Sequence, residues 1–148
     1  MKAVASTLRR WPAFAGILLA SMLARAECSL QTLAPQGSEV RAGAATVSLG
    51  EADNASRPNA WQGPLVAGAC TFELGIIEPP LLLTPASLLY VPTYSGSVRR
   101  LTLVDLNACK VRWQSAAFSG RLKIGPRALQ LGRKRIALDA RCVPITRK

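Results

Sequence analysis

Four cysteines are the residues whose chemistry can be inferred most directly from this sequence. They are Cys28, Cys70, Cys109 and Cys142. An even cysteine count in an exported chain is typical of disulfides made in an oxidising compartment. Four cysteines allow three pairings, and we expect Cys28 with Cys70 and Cys109 with Cys142, because each bond would then close one half of the chain. A zinc site is not expected, since no CxxC or histidine spacing is present.

Histidine is absent, which removes the Ser-His-Asp and Cys-His nucleophilic systems and every histidine metal site. A carboxylate pair of the glycosidase type stays open, with Glu73 and Glu78 or Asp105 and Asp139 as candidates. Nothing in the spacing selects either pair. We therefore expect a protein that is not an enzyme, and we predict no cofactor and no metal.

Charge is distributed unevenly along the chain, whose formal net charge is +11. Residues 27–98 contain six acidic and two basic residues, whereas residues 99–148 contain two acidic and thirteen basic residues. An exported basic protein meets lipid head groups, lipopolysaccharide and wall polymers before it meets nucleic acid. The expected partner is therefore an anionic envelope component or an acidic protein, and nucleic acid is not expected. A solvated charged surface without a partner is the plainer alternative.

Candidate contacts to such a partner are basic side chains on outward strand positions and turns, together with one aromatic residue. Arginine is suited to bidentate contact with phosphate or carboxylate. Trp61 lies in a polar segment, residues 50–64, that predicts a long surface loop; it is either an interaction anchor or a lid folded over the core. The candidates are Lys110, Arg112, Arg121, Lys123, Arg133, Lys134, Arg135 and Trp61.

Residues 1–26 have the organisation of a secretory signal peptide. A basic start ending at Arg9 and Arg10 precedes an apolar run over residues 11–23, and Ala24 and Ala26 place the expected cleavage before Glu27. The apolar run is shorter than the roughly 20 residues that a membrane span needs. We expect a periplasmic or secreted protein with no transmembrane span after cleavage. Lipidation of Cys28 would need an aliphatic residue three positions earlier, and this chain has Arg25 there, so lipidation is disfavoured.

The element that must position the basic residues is a hairpin over residues 98–113, with its turn at residues 105–108. Leu101 and Leu103 are predicted to point inward, opposite Thr102 and Val104. On the return strand Cys109, Val111 and Trp113 are predicted to point inward, which leaves Lys110 and Arg112 on an outward face with Arg121 and Lys123. Asp and Asn favour the turn because their side chains bond the local backbone.

Other short runs extend this pattern. Residues 70–76 alternate with Cys70 inward, residues 136–142 predict a closing strand with Cys142 inward, and residues 81–90 predict a helical turn or loop followed by a strand. Gly- and Pro-containing turns separate the runs. We therefore expect an all-β fold: a small disulfide-stapled β-sandwich or barrel forming a single domain over residues 27–148, after a cleaved N-terminal signal helix.

The function expected from these features is that of a non-catalytic exported envelope protein, a binding or accessory module whose basic C-terminal half docks an anionic partner. Two alternatives stay open. One is a small envelope hydrolase that uses carboxylates. The other is a structural subunit of a surface assembly, which would present an unpaired edge strand or a tail ordered only in a complex.

Overall fold

The computed structural model describes residues 27–146. The predicted signal peptide, residues 1–26, and the last two residues, Arg147 and Lys148, lie outside the described part. Within it the regular elements are fifteen strands: β1 (Gln31–Leu33), β2 (Glu39–Ala42), β3 (Ala45–Ser48), β4 (Glu51–Ala52), β5 (Trp61–Gln62), β6 (Leu65–Ala67), β7 (Cys70–Phe72), β8 (Ile76–Ile77), β9 (Leu81–Leu83), β10 (Leu88–Ser95), β11 (Val98–Asp105), β12 (Lys110–Gln114), β13 (Leu122–Gly125), β14 (Ala128–Leu131) and β15 (Lys134–Ala137).

The strands form three antiparallel sheets. The largest has eight strands, with β10 at its centre: β11 and then β12 follow on one side, while the other side is shared by β9, which leads to β1, and β8, which leads to β5 and β4. A four-stranded sheet has the order β2-β3-β6-β7, and a three-stranded sheet has the order β13-β14-β15. The sheets do not close into a barrel, so the all-β prediction is confirmed in its sandwich-like form.

Two apolar cores lie on opposite faces of the central strands. Leu89, Val91 and Val104 join a first core that includes residues of the four-stranded sheet, such as Val47 and Phe72. The intervening residues face a second core, which includes Leu82, Tyr90, Leu101 and Leu103 of the eight-stranded sheet and Leu129 and Leu131 of the three-stranded sheet. The eight-stranded sheet is therefore the middle layer of three.

Burial on both faces explains why the sequence of β9 and β10 does not alternate between apolar and polar residues. In β9, Leu81 and Leu83 belong to the first core, whereas Leu82 belongs to the second. A strand covered on both sides reads as a continuous apolar run. The prediction of a helical turn or loop here was wrong at residues 81–83, which are strand, and a turn occupies residues 85–87.

Pro92 stands inside β10. Its carbonyl accepts the Glu78 N–H at 3.0 Å, so its backbone points away from β11. It points to the other side of β10, where β9 pairs with the first part of the strand and β8 with the last part. A proline at this position removes no hydrogen bond between β10 and β11. The strand therefore continues to Ser95, and a turn at Gly96 and Ser97 leads into β11.

The predicted hairpin over residues 98–113 is confirmed as β11 and β12, but its faces differ from the expectation. Thr102 and Val104 are fully buried, because both faces of β11 are covered, and Val111 is 52% exposed. The register pairs Leu103 with Trp113 and then Val104 with Val111, which makes Arg112 an extra residue in a bulge. A bulge interrupts the two-residue period, so alternation could not assign the faces of β12.

The two disulfides join Cys28 to Cys142 and Cys70 to Cys109, so the expected pairing was wrong. Cys70 lies on β7 of the four-stranded sheet, and Cys109 lies in the turn between β11 and β12, so their bond connects two layers. The sequence separations are 39 and 114 residues. Loops of that size correspond to roughly 4 and 5 kcal/mol of stabilisation on the chain-entropy model. Cys28 is occupied by its bond and is not free for lipidation.

Cys142 lies in a turn after β15 and not on the predicted closing strand. The strand ends at Ala137, Leu138 bridges to Pro144, and Asp139 Oδ1 accepts the Arg141 and Val143 N–H groups at 2.8 and 2.9 Å. The Tyr90 hydroxyl reaches this turn through the second core and donates to the Cys142 carbonyl at 2.6 Å. Burial raises the pKa of Tyr90, with a further contribution from Asp139, so the hydroxyl stays a donor.

The disulfide pairing can be checked by tryptic digestion of the oxidised protein without reduction. Mass spectrometry is expected to find a peptide ending at Arg41 linked to a peptide that begins at Cys142, and Cys70 linked to residues 101–110. A peptide that links Cys28 to Cys70 in the folded protein would contradict the structure.

Tyr90→Phe is expected to lower the free energy of unfolding by about 1 to 2 kcal/mol, because it leaves the Cys142 carbonyl without its buried donor. Urea unfolding of the oxidised protein measures this. Tyr94→Phe is the matched control, since Tyr94 is half-buried and its hydroxyl makes no hydrogen bond to the described residues. Equal losses in both variants would show that the Tyr90 hydrogen bond contributes nothing.

Candidate functional site

The three-stranded sheet of β13, β14 and β15 carries a row of polar side chains on its outer face. Lys123 is paired in register with Gln130, and Gln130 is paired with Arg135. Residues paired directly across antiparallel strands share a face. Leu129 and Leu131 alternate with Gln130 and enter the second core. The apolar side of the sheet therefore covers β10 and β11, and Lys123 and Arg135 are exposed on the other side.

More basic residues surround this row. Arg121 precedes β13, and Arg127 and Arg133 lie in the two turns of the sheet. Residues 121–137 contain six basic residues and no acidic residue. The ion pairs found within residues 27–146 are Arg99–Glu78 and Arg112–Asp105, so none of the six has an ionic partner there. We call the following set the basic face: Arg121, Lys123, Arg127, Arg133 and Arg135.

Gly132 fixes how the second turn presents Arg133. Its φ is +59°, and a Cβ at this position would stand 2.1 Å from the Ser119 carbonyl oxygen. Its N–H donates to the Arg121 carbonyl at 3.2 Å, which holds the entry to β13 beside the turn. Only glycine combines this positive φ with so close an approach to the Ser119 carbonyl. Because the turn lies against residues 119–121, Arg121 and Arg133 are at the same end of the sheet.

Lys110 and Arg112 lie on β12, in a different sheet from the basic face. The guanidinium of Arg112 donates to Asp105 Oδ2 from Nε at 3.0 Å and from Nη2 at 2.6 Å. Asp105 Oδ1 accepts the backbone N–H groups of Asn107 and Ala108 at 3.0 and 2.9 Å. Arg112 is thus committed to the turn that leads to Cys109, while Lys110 is exposed.

Asp105 is buried, with its side chain 11% exposed, and its hydrogen bonds favour the ionised form. The Ala108 N–H, followed by the Arg112 guanidinium, lowers the pKa of Asp105 below its ordinary value. This group therefore stabilises the fold above its ordinary pKa, and the stabilisation is lost as pH falls through the lower folded-state pKa.

Trp61 does not present an anchor to a partner, contrary to that candidate role. Its side chain is 2% exposed in the first core, and its Nε1–H donates to the Gly37 carbonyl at 2.9 Å. The predicted loop over residues 50–64 contains the paired strands β4 and β5, with Ala52 opposite Trp61. At its tip, the Asn59 and Ala60 N–H groups bond Asp53 Oδ1 and lower the pKa of Asp53. The core-lid interpretation of Trp61 is the one that the structure supports.

Three of the four carboxylates considered for hydrolysis have structural partners. Glu78 accepts the Arg99 Nε–H at 2.6 Å, Asp105 holds the hairpin turn, and Asp139 holds the turn around Cys142. Glu73 directly follows β7 and is exposed. Residues 27–146 contain no group of three or more His, Cys, Asp or Glu side chains that could hold a metal ion.

A groove that the sequence did not indicate runs between the end of β12 and β15. Its volume is about 630 Å³. Trp113, Phe118, Ile136 and Ile145 give it an apolar lining, with Lys134 and Arg135 beside them, and none of the described residues that line it is acidic. Trp113, which alternation predicts to point inward, is half-buried and packs against the second core beside the groove. No local pattern predicts that residues 113–118 meet residues 134–146. We call this surface the flank groove.

Searches against protein-family models, curated proteins and solved structures found no match to this chain. In residues 27–146 no helix is both long and apolar enough to cross a bilayer.

Asp105→Asn is expected to lower the free energy of unfolding at pH 7 by about 1 to 2 kcal/mol, because the charge-assisted bonds to Arg112 and to the turn are weakened. The difference from the parent protein should begin to shrink as pH falls below about 4, where the unfolded parent takes up a proton, and should disappear below the lowered folded-state pKa of Asp105. Urea unfolding between pH 7 and pH 2 measures both effects. Glu73→Gln, an exposed carboxylate outside this turn, is the control, and a pH-independent difference for Asp105→Asn would contradict the assignment.

Proposed function

We propose that this protein is an exported, non-catalytic binding module of the cell envelope, and that it docks an anionic partner through the basic face. The observation that carries the proposal is the outer row Lys123–Gln130–Arg135. Both turns of the same sheet carry a basic residue, and none of these cations has an ionic partner within residues 27–146.

Two disulfides indicate an oxidising, non-cytoplasmic compartment. The expected signal peptide over residues 1–26 supports the finer assignment to the periplasm or to secretion. In either place the protein meets surfaces rich in phosphate and carboxylate groups. The proposed partner is therefore an anionic envelope component, or an acidic protein in the same compartment.

The arrangement of charge favours binding over a merely solvated surface. A single exposed ion pair contributes little, because water and salt screen it. Several cations on one rigid sheet act together on a polyanion, since their potentials add. The inner face of the same sheet is fixed by the second core, so the charges are held in place before a partner arrives.

The proposal is tested by cosedimentation of the oxidised protein with phosphatidylglycerol vesicles, and by binding to lipopolysaccharide and to wall fragments, between about 0.05 and 0.5 M NaCl. Binding to at least one of these probes is expected to weaken steeply with salt. Lys123→Glu combined with Arg133→Glu should weaken it by about 30-fold or more, because each basic residue near an anionic surface contributes about 1 kcal/mol.

Arg41→Glu combined with Arg57→Glu is the matched control. It makes the same change in net charge at two exposed arginines that lie outside the three-stranded sheet. Equal weakening by both double variants would show that net charge, and not the basic face, governs binding. Absence of salt-sensitive binding to all three probes would overturn the proposal.

A further inference from the structure

A row of exposed and half-buried side chains crosses β4, β5, β8 and β10 on one face of the eight-stranded sheet. Residues paired directly across antiparallel strands share a face. The adjacent residues Trp61 and Ile77 belong to the first core, so the row lies on the opposite face of the sheet. We call it the cross-strand row, and the register gives it one member from each strand: Glu51, Gln62, Ile76 and Tyr94.

The cross-strand row lines a surface depression of about 340 Å³. This volume is within the range of roughly 300 to 1,000 Å³ that ligand pockets have. Asp53 and Ala60 also line the depression. The Asp53 N–H donates to the Ala60 carbonyl at 2.9 Å, and the Ala60 N–H donates to Asp53 Oδ1 at 3.2 Å. This part of the lining is therefore held in place before a ligand arrives.

The polar members of the row are not engaged by the rest of the fold. Within residues 27–146, no side-chain hydrogen bond or ion pair involves Glu51, Gln62 or Tyr94. The carboxylate offers acceptors, and the amide offers both donors and acceptors. The Tyr94 ring and Ile76 add apolar surface. Sugars require this combination, because their ring C–H groups pack on an aromatic face while neighbouring hydroxyls bond to planar amides or carboxylates.

The charges along the row indicate an uncharged ligand. None of the described residues that line the depression is basic, so Glu51 would repel an anion. Arg99 is paired with Tyr94 and follows it on the same face, and its Nε–H donates to Glu78 Oε1 at 2.6 Å. A cation placed on the Tyr94 ring would therefore meet a guanidinium. A carboxylate at one end and a guanidinium at the other are complementary to a neutral molecule that carries many hydroxyls.

The length of the row indicates a chain of sugars rather than one ring. Neighbouring strands lie about 4.8 Å apart, so Glu51 and Tyr94 are separated by three spacings, or about 14 Å. We propose that the cross-strand row binds an uncharged oligosaccharide whose extended, β-linked chain lies across the strands. Each sugar unit of such a chain advances by about one strand spacing. The Tyr94 ring stacks on one unit, and Gln62 and Glu51 bond the hydroxyls of the units farther along.

The probe is N-acetylated chitotriose, an uncharged and extended trisaccharide, titrated into the isotopically labelled, oxidised protein and followed by heteronuclear NMR. The amide signals of residues 51, 62, 76 and 94 are expected to shift, with a Kd of about 1 mM or tighter. Binding should change by less than about twofold between about 0.05 and 0.5 M NaCl, because the ligand has no charge to screen. Maltotriose, which is uncharged but curved, should bind at least about fivefold more weakly.

Matched substitutions test the row from the protein side. Tyr94→Ala should weaken binding by about tenfold, whereas Tyr94→Phe keeps the stacking ring and should stay within about threefold of the parent. Gln62→Ala should weaken binding by about fivefold or more, because it removes the amide. Gln31→Ala is its control, since Gln31 is an exposed glutamine on β1 of the same sheet and lies outside the depression. If Tyr94→Ala does not fold, the two glutamine variants still test the site.

The outcome is separable from that of the basic face. Lys123→Glu with Arg133→Glu should leave trisaccharide binding within about twofold, since neither residue lines the depression. Absence of shifts at about 10 mM trisaccharide, equal binding of maltotriose, or equal losses in the Gln62→Ala and Gln31→Ala variants would each overturn the proposal. None of these results bears on vesicle binding, which depends on charge and salt.

Discussion

Burial of both faces of β10 and β11 is the constraint on which the rest of the fold depends. These two strands pair over eight residues each. In their central parts Leu89, Val91 and Val104 enter the first core, and Tyr90, Leu101 and Leu103 enter the second. Neither face can be left in water, because each carries fully buried leucines or valines. The four-stranded sheet covers one face and the three-stranded sheet covers the other, and the position of every candidate surface follows from that arrangement.

The polar contacts of the fold lie where the layers meet. Tyr90 reaches from the central sheet to the Cys142 carbonyl, and Arg112 holds the turn that carries Cys109. Each contact thus supports the backbone beside a disulfide. In the described part of the chain no buried side-chain nitrogen or oxygen lacks a hydrogen-bond partner. Such satisfaction is what a stable interior requires, since an unpaired buried polar group is costly.

The three-stranded sheet carries the basic face, which is the proposed binding surface for an anionic partner. Leu129 and Leu131 of this sheet are buried in the second core. Its exposed side chains include most of the six basic residues of residues 121–137. The proposed polyanion site uses its outer face and turns, and Arg135 contributes its side chain to the outer row of that site.

Composition and local pattern determined the all-β class, the disulfide-bonded state, the hairpin of β11 and β12 and the concentration of basic charge after residue 98. These properties depend on near neighbours in the chain, which is why they can be read from it. Only the tertiary structure decided the cysteine pairing, the burial of Trp61, the separation of Arg112 from the basic face and the existence of the flank groove. The reason is that strands distant in sequence pack on both sides of β10 and β11. A one-residue bulge at Arg112 and a second covered face on β11 both break the simple rule that alternate residues face water.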